Sequence, residues 1–242
     1  MLNKYRNILL LVFFLHAGFT HRGNAATKDS IRILFVGNSL TYVNNLPELI
    51  NGIARQDRTA ISYTSFLYPD YSLEDHWNEG KVKTEIEKGG YDFVVAQQGP
   101  SALPESQVLL FDYTKRFAEL CNKNKTKLAL YMVWPSKARS FDLDNVIISY
   151  THAAEKTASL LCPAGLGWRY AWQTDSSLPL YSADNFHPSL TGSVLAALTI
   201  YGVLMRKNNF DFIEYGNCTW KNEMAEERLD ILKQSALKAM NQ

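Results

Sequence analysis

The segment Ile31-Arg32-Ile33-Leu34-Phe35-Val36-Gly37-Asn38-Ser39-Leu40-Thr41 changes character at its centre. Up to Val36 it is a run of β-branched and aromatic residues; beyond Ser39 a helical spacing takes over, with Leu46, Leu49, Ile50 and Ile53 on one face. The pattern predicts a strand that turns sharply into a helix. In parallel α/β sheets such strand exits are where ligands bind, because the chain turns there and the next helix points unpaired N–H groups at the opening. Ser39 is therefore a candidate nucleophile. The competing role for its hydroxyl is to cap the following helix by accepting a backbone N–H one turn on.

Outward from this segment, strand and helix signals alternate. Residues 60–67 read as a second strand between Asp57-Arg58 and Pro69-Asp70, and 77–88 as a helix closed by Gly89-Gly90. Residues 91–97 are nearly all apolar, as in a strand covered on both faces, and a helix follows from Pro104. A fourth strand is expected at 127–134, a helix at 142–161 and a short fifth strand at 162–164. Residues 165–186 read as irregular and aromatic. Pro188 opens a helix over 189–205, and 221–240 form a last amphipathic helix. This alternation predicts a single α/β unit with a parallel sheet and helices on both faces.

The 242 residues are 46% hydrophobic and 20% charged, enough for one α/β core. Lys4 and Arg6 precede an apolar run over 8–15 and a small-residue site at Gly23-Asn24-Ala25, the pattern of a secretory signal peptide cut after Ala25. The apolar run is too short to span a bilayer. The expectation is a secreted or periplasmic chain of residues 26–242, not inserted in a membrane after cleavage. Removing 1–25 takes away three cations, Lys4, Arg6 and Arg22, and no acid, moving the formal net charge from +1 to −2. That balance lacks the basic footprint of a nucleic-acid partner. Cys121, Cys162 and Cys218 permit at most one disulfide and have no metal-ligand spacing.

Asp184-Asn185-Phe186-His187-Pro188 is the second informative stretch. Asp and His three positions apart in a turn bring a carboxylate to one imidazole nitrogen and leave the other free as a base. Pro188 pushes His187 out of the helical region, into an extended conformation at the mouth of the next helix. The structural alternative is that Asp184 caps a turn and His187 is a solvated loop residue.

Gly37-Asn38-Ser39-Leu40 after the first strand, together with Asp184-x-x-His187 before the last large helix, resembles the SGNH (GDSL-type) hydrolase family, whose first block is Gly-Asp-Ser-Leu or close to it and whose last is Asp-x-x-His. The resemblance extends to the order of elements between the blocks. It implies a flavodoxin-like three-layer α/β/α fold with a five-stranded parallel sheet. It also implies ester hydrolysis by Ser39 as nucleophile, His187 as general base and acid, and Asp184 as the group that orients His187, with no metal or organic cofactor. Asn38 stands where the family more often has Asp, a change not expected to alter the chemistry.

The resemblance thins at the groups that would stabilise an oxyanion. The family's second block supplies a glycine N–H, where this chain has Tyr68-Pro69-Asp70-Tyr71-Ser72; the backbone N–H of Asp70 or Tyr71 is the expected substitute. The third block is Gly-x-Asn, where this chain has Gly99-Pro100-Ser101, so Ser101 takes the asparagine's place or Gln97 or Gln98 supplies an amide, a glutamine being preferred. His76 lacks a partner at metal spacing and reads as part of a helix start; His152 reads as packing or surface. Trp134, Trp168 and Trp172 either line a sugar-binding cleft or belong to the core. The expected partner is a small-molecule or glycan ester, an acetyl group on a carbohydrate first among them. The alternatives are a lipase, lysophospholipase or thioesterase on longer chains, and a non-catalytic binding module with the same fold.

Overall fold

Five parallel strands, β1 (Ile31–Gly37), β2 (Ile61–Leu67), β3 (Phe93–Ala96), β4 (Lys127–Tyr131) and β5 (Leu160–Cys162), form one sheet in the order β2-β1-β3-β4-β5. This is seen in a computed structural model that describes residues 30–242; the expected signal segment lies outside the described residues. All four strand pairings are parallel. Ile33 to Val36 of β1 and every residue of β3 are buried, as central strands covered on both faces must be. β2 is an edge strand and leaves Ser62, Tyr63 and Ser65 in solvent.

The helices are α1 (Ser39–Tyr42), α2 (Leu46–Gln56), α3 (Leu73–Glu79), α4 (Lys81–Glu87), α5 (Pro104–Lys123), α6 (Leu143–Thr157), α7 (Ala164–Thr174), α8 (Leu190–Met205) and α9 (Glu226–Met240). Helices α3 to α6 pack with one another on one face, and α2, α7, α8 and α9 on the other. The expected five-stranded α/β/α architecture is therefore observed. α8 is apolar nearly all round because α2, α7 and α9 all pack against it.

Four local expectations are corrected. The helix expected at 77–88 is two, because Gly80 (φ 85°) takes the left-handed conformation, donates its N–H to His76 O and ends α3. α6 stops at Thr157, where Ala158 (φ 52°) terminates it, so β5 is Leu160–Cys162 and not 162–164. The stretch expected to be irregular contains α7, whose Gly165 and Gly167 weaken the local signal while buried Trp168 and Ala171 supply the packing. The last helix starts at Glu226, later than the amphipathic spacing suggests.

Candidate active site

The carboxyl ends of β1, β2 and β3 are level, with Gly37 opposite Leu67 and Val36 opposite Ala96. Tyr68 N donates to Gly37 O at 3.1 Å and Gln97 N to Val36 O at 2.8 Å, so the three turns that follow leave the sheet side by side. They surround a cavity of about 490 Å³ at the point where connections leave β1 and β3 for opposite faces. Asn38, Ser39, Asp70, Gln98, Ser101 and Phe186 are among its walls.

Ser39 is the first residue of α1, and the cap is Asn38, whose Oδ1 accepts Leu40 N at 3.1 Å. The capping role weighed for Ser39 thus belongs to its neighbour. Among the described residues Ser39 Oγ has no hydrogen-bond partner, and it is not one of the sealed polar atoms, so it faces the cavity. Asn38 uses both ends of its amide: Nδ2 donates to Tyr71 O at 3.0 Å, a bond that an aspartate in its place cannot make.

Gln97 is fully buried and lies behind this turn. Its Oε1 accepts Asn38 N and Thr41 Oγ1, both at 2.9 Å, and its Nε2 donates to Gln98 O at 2.6 Å. A side chain at Gly37 would crowd these bonds, because a Cβ would stand 2.6 Å from Gln97 Oε1 and 2.9 Å from Thr41 Oγ1.

Asp184 and His187 are brought together as their spacing predicts. His187 Nδ1 and Asp184 Oδ2 are 2.6 Å apart, while Asp184 Oδ1 accepts Ser182 Oγ (2.8 Å) and the backbone N–H groups of Phe186 and His187 (2.9 Å each). The His187 bond, the Phe186 N–H and the Ser182 hydroxyl hold the Asp184 carboxyl well below the usual carboxylate range. An ionised carboxylate only accepts, so His187 Nδ1 is the donor, and in the neutral ring that leaves the lone pair on Nε2. The loop is fastened on both sides: Trp134 Nε1 donates to Phe186 O at 3.2 Å and Asn44 Nδ2 to Pro188 O at 3.1 Å. Gly192 lets α8 close on it, since a Cβ there would meet Leu180 O at 2.3 Å. Phe186 lines the cavity that holds Ser39, yet no hydrogen bond joins Ser39 to His187 in this state. Such bonds are commonly loose before substrate is bound.

The oxyanion candidates separate. Asp70 (φ 60°) holds the left-handed conformation that glycine adopts most easily, lines the cavity, and its N–H has no acceptor among the described residues. Ser39 also lines the cavity, and its N–H likewise has no acceptor among the described residues. Tyr71 N is engaged by Tyr68 O at 3.4 Å. The preferred glutamines are otherwise employed: Gln97 does not reach the cavity, and Gln98 Nε2 donates to Ser101 Oγ (3.1 Å) and Ser106 O (3.3 Å). Ser101 Oγ donates to Gly99 O at 3.0 Å. Tyr150, missed by reading the sequence because it lies on distant α6, fixes this turn by donating to Gln98 O at 2.7 Å.

Trp134 and Trp168 are stacked at 3.4 Å and fully buried, so these two are core and not cleft, while Trp172 is half-buried with its Nε1 on Leu178 O. Arg139, also unforeseen, lines the cavity with Asp142 and is bonded to it through Nε at 2.7 Å. All three cysteines are free and buried, and burial pushes the Cys121 thiol up to about 12. Among the described residues no group of three or more His, Cys, Asp or Glu is placed to hold a metal, and no helix is long and apolar enough to cross a membrane.

No protein-family model matches the sequence, and no curated protein matches it. Solved structures do. A DUF4886 family protein from Bacteroides uniformis superposes with a TM-score of 0.70 at 15% identity, covering 88% of this chain and 95% of its own. An SGNH hydrolase candidate from Slackia heliotrinireducens gives 0.61 at 24% identity, over 72% of this chain and 99% of that one. An acetyl xylan esterase from Geobacillus stearothermophilus gives 0.51 at 15% identity, over 76% and 96%. The chain has the fold of the SGNH hydrolases.

Proposed function

We propose that this chain, which has the SGNH-hydrolase fold, is a serine hydrolase of carboxylic esters. The observation that carries the reading is the Asp184–His187 pair, joined through Nδ1, on the loop bordering a cavity that contains an unbonded serine hydroxyl at a strand exit. Ser39 Oγ attacks the ester carbonyl carbon as its proton passes to His187 Nε2. The N–H groups of Ser39 and Asp70 face the negative charge that develops on the carbonyl oxygen. Collapse expels the alcohol, protonated by His187, and leaves an acyl-Ser39. Water, deprotonated by the same imidazole, then releases the acid and restores the serine. No step calls for a metal or organic cofactor.

The finer reading is a small acyl group, acetyl first, on a carbohydrate met outside the cytoplasm, after cleavage following Ala25. It is supported by the signal-like sequence of residues 1–25 and by the acetyl xylan esterase among the similar folds. A second reading, longer acyl chains, is favoured by the apolar wall of Pro100, Ala102, Leu103, Leu109 and Phe186, and by the 46% exposure of Leu103 at its edge. Hydrolysis of 4-nitrophenyl esters from acetyl to octanoyl tests both levels. Activity that vanishes in Ser39→Ala supports the reaction, and equal activity in both proteins contradicts it. A rate falling with acyl length supports the first substrate class; a rising one supports the second.

A further inference from the structure

His76 is fully buried in α3, and its ring makes one hydrogen bond. Nε2 lies 2.9 Å from the carbonyl of Gly37, two residues before Ser39, and since a carbonyl only accepts, Nε2 carries the proton. Nδ1 is therefore a bare lone pair, sealed from solvent with no partner among the described residues. Burial pushes the imidazole below its usual value, which keeps it neutral. The rings of Tyr68 and Tyr71 enclose it at 5.7 and 5.1 Å. Those residues bracket Asp70 and are themselves tied to the serine turn, Tyr68 N to Gly37 O and Asn38 Nδ2 to Tyr71 O.

A histidine that only filled space would be a poor choice, because a phenyl ring fills the same space without an orphaned acceptor. What histidine adds is a side-chain donor to Gly37 O, beside the backbone N–H of Tyr68. We propose that His76 is a positioning residue: it fixes the turn carrying Ser39 against the turn carrying Asp70, and so sets the spacing between nucleophile and oxyanion donor. The proposal rests on the reading of Ser39 as nucleophile. A misplacement of about 1 Å between reacting groups can cost about a hundredfold in rate.

The test compares wild type, His76→Phe and His76→Gln in the full chain. Glutamine places an amide N–H near the position of Nε2; phenylalanine does not. The expected result for His76→Phe is a kcat lower by about tenfold or more with KM within about threefold, and a melting temperature that does not fall. His76→Gln recovers most of kcat. Labelling of Ser39 by a fluorophosphonate slows in parallel with kcat. Amide hydrogen exchange accelerates at Tyr68 and Leu40 in His76→Phe and stays slow in β3 and β4. A purely structural role gives the opposite pattern, a lowered melting temperature with kcat per folded molecule unchanged, and overturns the proposal, as does unchanged exchange at Tyr68 and Leu40. A wild-type chain that neither hydrolyses esters nor labels at Ser39 overturns the catalytic reading instead, and the exchange comparison still decides whether His76 holds the two turns together.

Discussion

Asp184 receives four hydrogen bonds within one tight turn, and this concentration of donors decides how His187 behaves. The carboxylate stays charged well below the ordinary range, so it fixes the imidazole tautomer at every pH where that ring is neutral. Asp184→Asn keeps the shape but offers Nδ1 an amide that cannot reproduce the carboxylate; kcat is expected to fall by about a thousandfold or more, measured by initial rates on a short-chain aryl ester. Gly37→Ala forces a Cβ onto Gln97 Oε1 and Thr41 Oγ1, and should cut kcat by about tenfold or more with a lower melting temperature. The contacts of Asp184 and His187 were legible because both partners lie in one turn. The duties of Gln97 and His76 were not. Each depends on a side chain from elsewhere in the chain meeting the backbone of the serine turn, a distance in sequence of 59 residues for Gln97 and 39 for His76.

At the scale of elements, strands and most helices follow from apolar periodicity, and the errors fall where a single residue overrides it. Gly80 and Ala158 stop helices inside spacings that would continue them. α7 has the reverse problem, since glycines and aromatics conceal a helix that tertiary packing stabilises. The ends of α2 and α8 are joined by Asp57, which meets Lys207 Nζ at 2.5 Å and the hydroxyl of Tyr201. Burial raises its carboxyl, but the bonds from Lys207 and Tyr201 and the charge of Lys207 outweigh that and leave it lowered. A lowered carboxyl contributes stability that is fully present above the unfolded value of about 4 and is lost as pH falls through the folded value. Asp57→Asn should therefore cost about 1–3 kcal/mol at neutral pH, with the gap to wild type closing in acid, as read by denaturant titrations at both pH values.

For the whole molecule, the sheet order places three strand exits around one opening, and the cavity there belongs to no single motif. Its position was legible, because strand exits of a parallel sheet are where ligands bind; its apolar wall was not, because nothing in the sequence separates Leu109 from the other apolar positions of the helix that follows Pro104. Leu109→Trp fills part of that wall. It should lower kcat/KM for hexanoyl esters by about tenfold while sparing acetyl esters, and equal effects on both would place the acyl group elsewhere. The central claim is that Ser39 is an activated nucleophile, and the most direct measurement of it is mass spectrometry after exposure to a fluorophosphonate. The account predicts one adduct, on Ser39, absent in Ser39→Ala and strongly reduced in His187→Ala. An unlabelled wild-type protein, or an adduct on another residue, would contradict it.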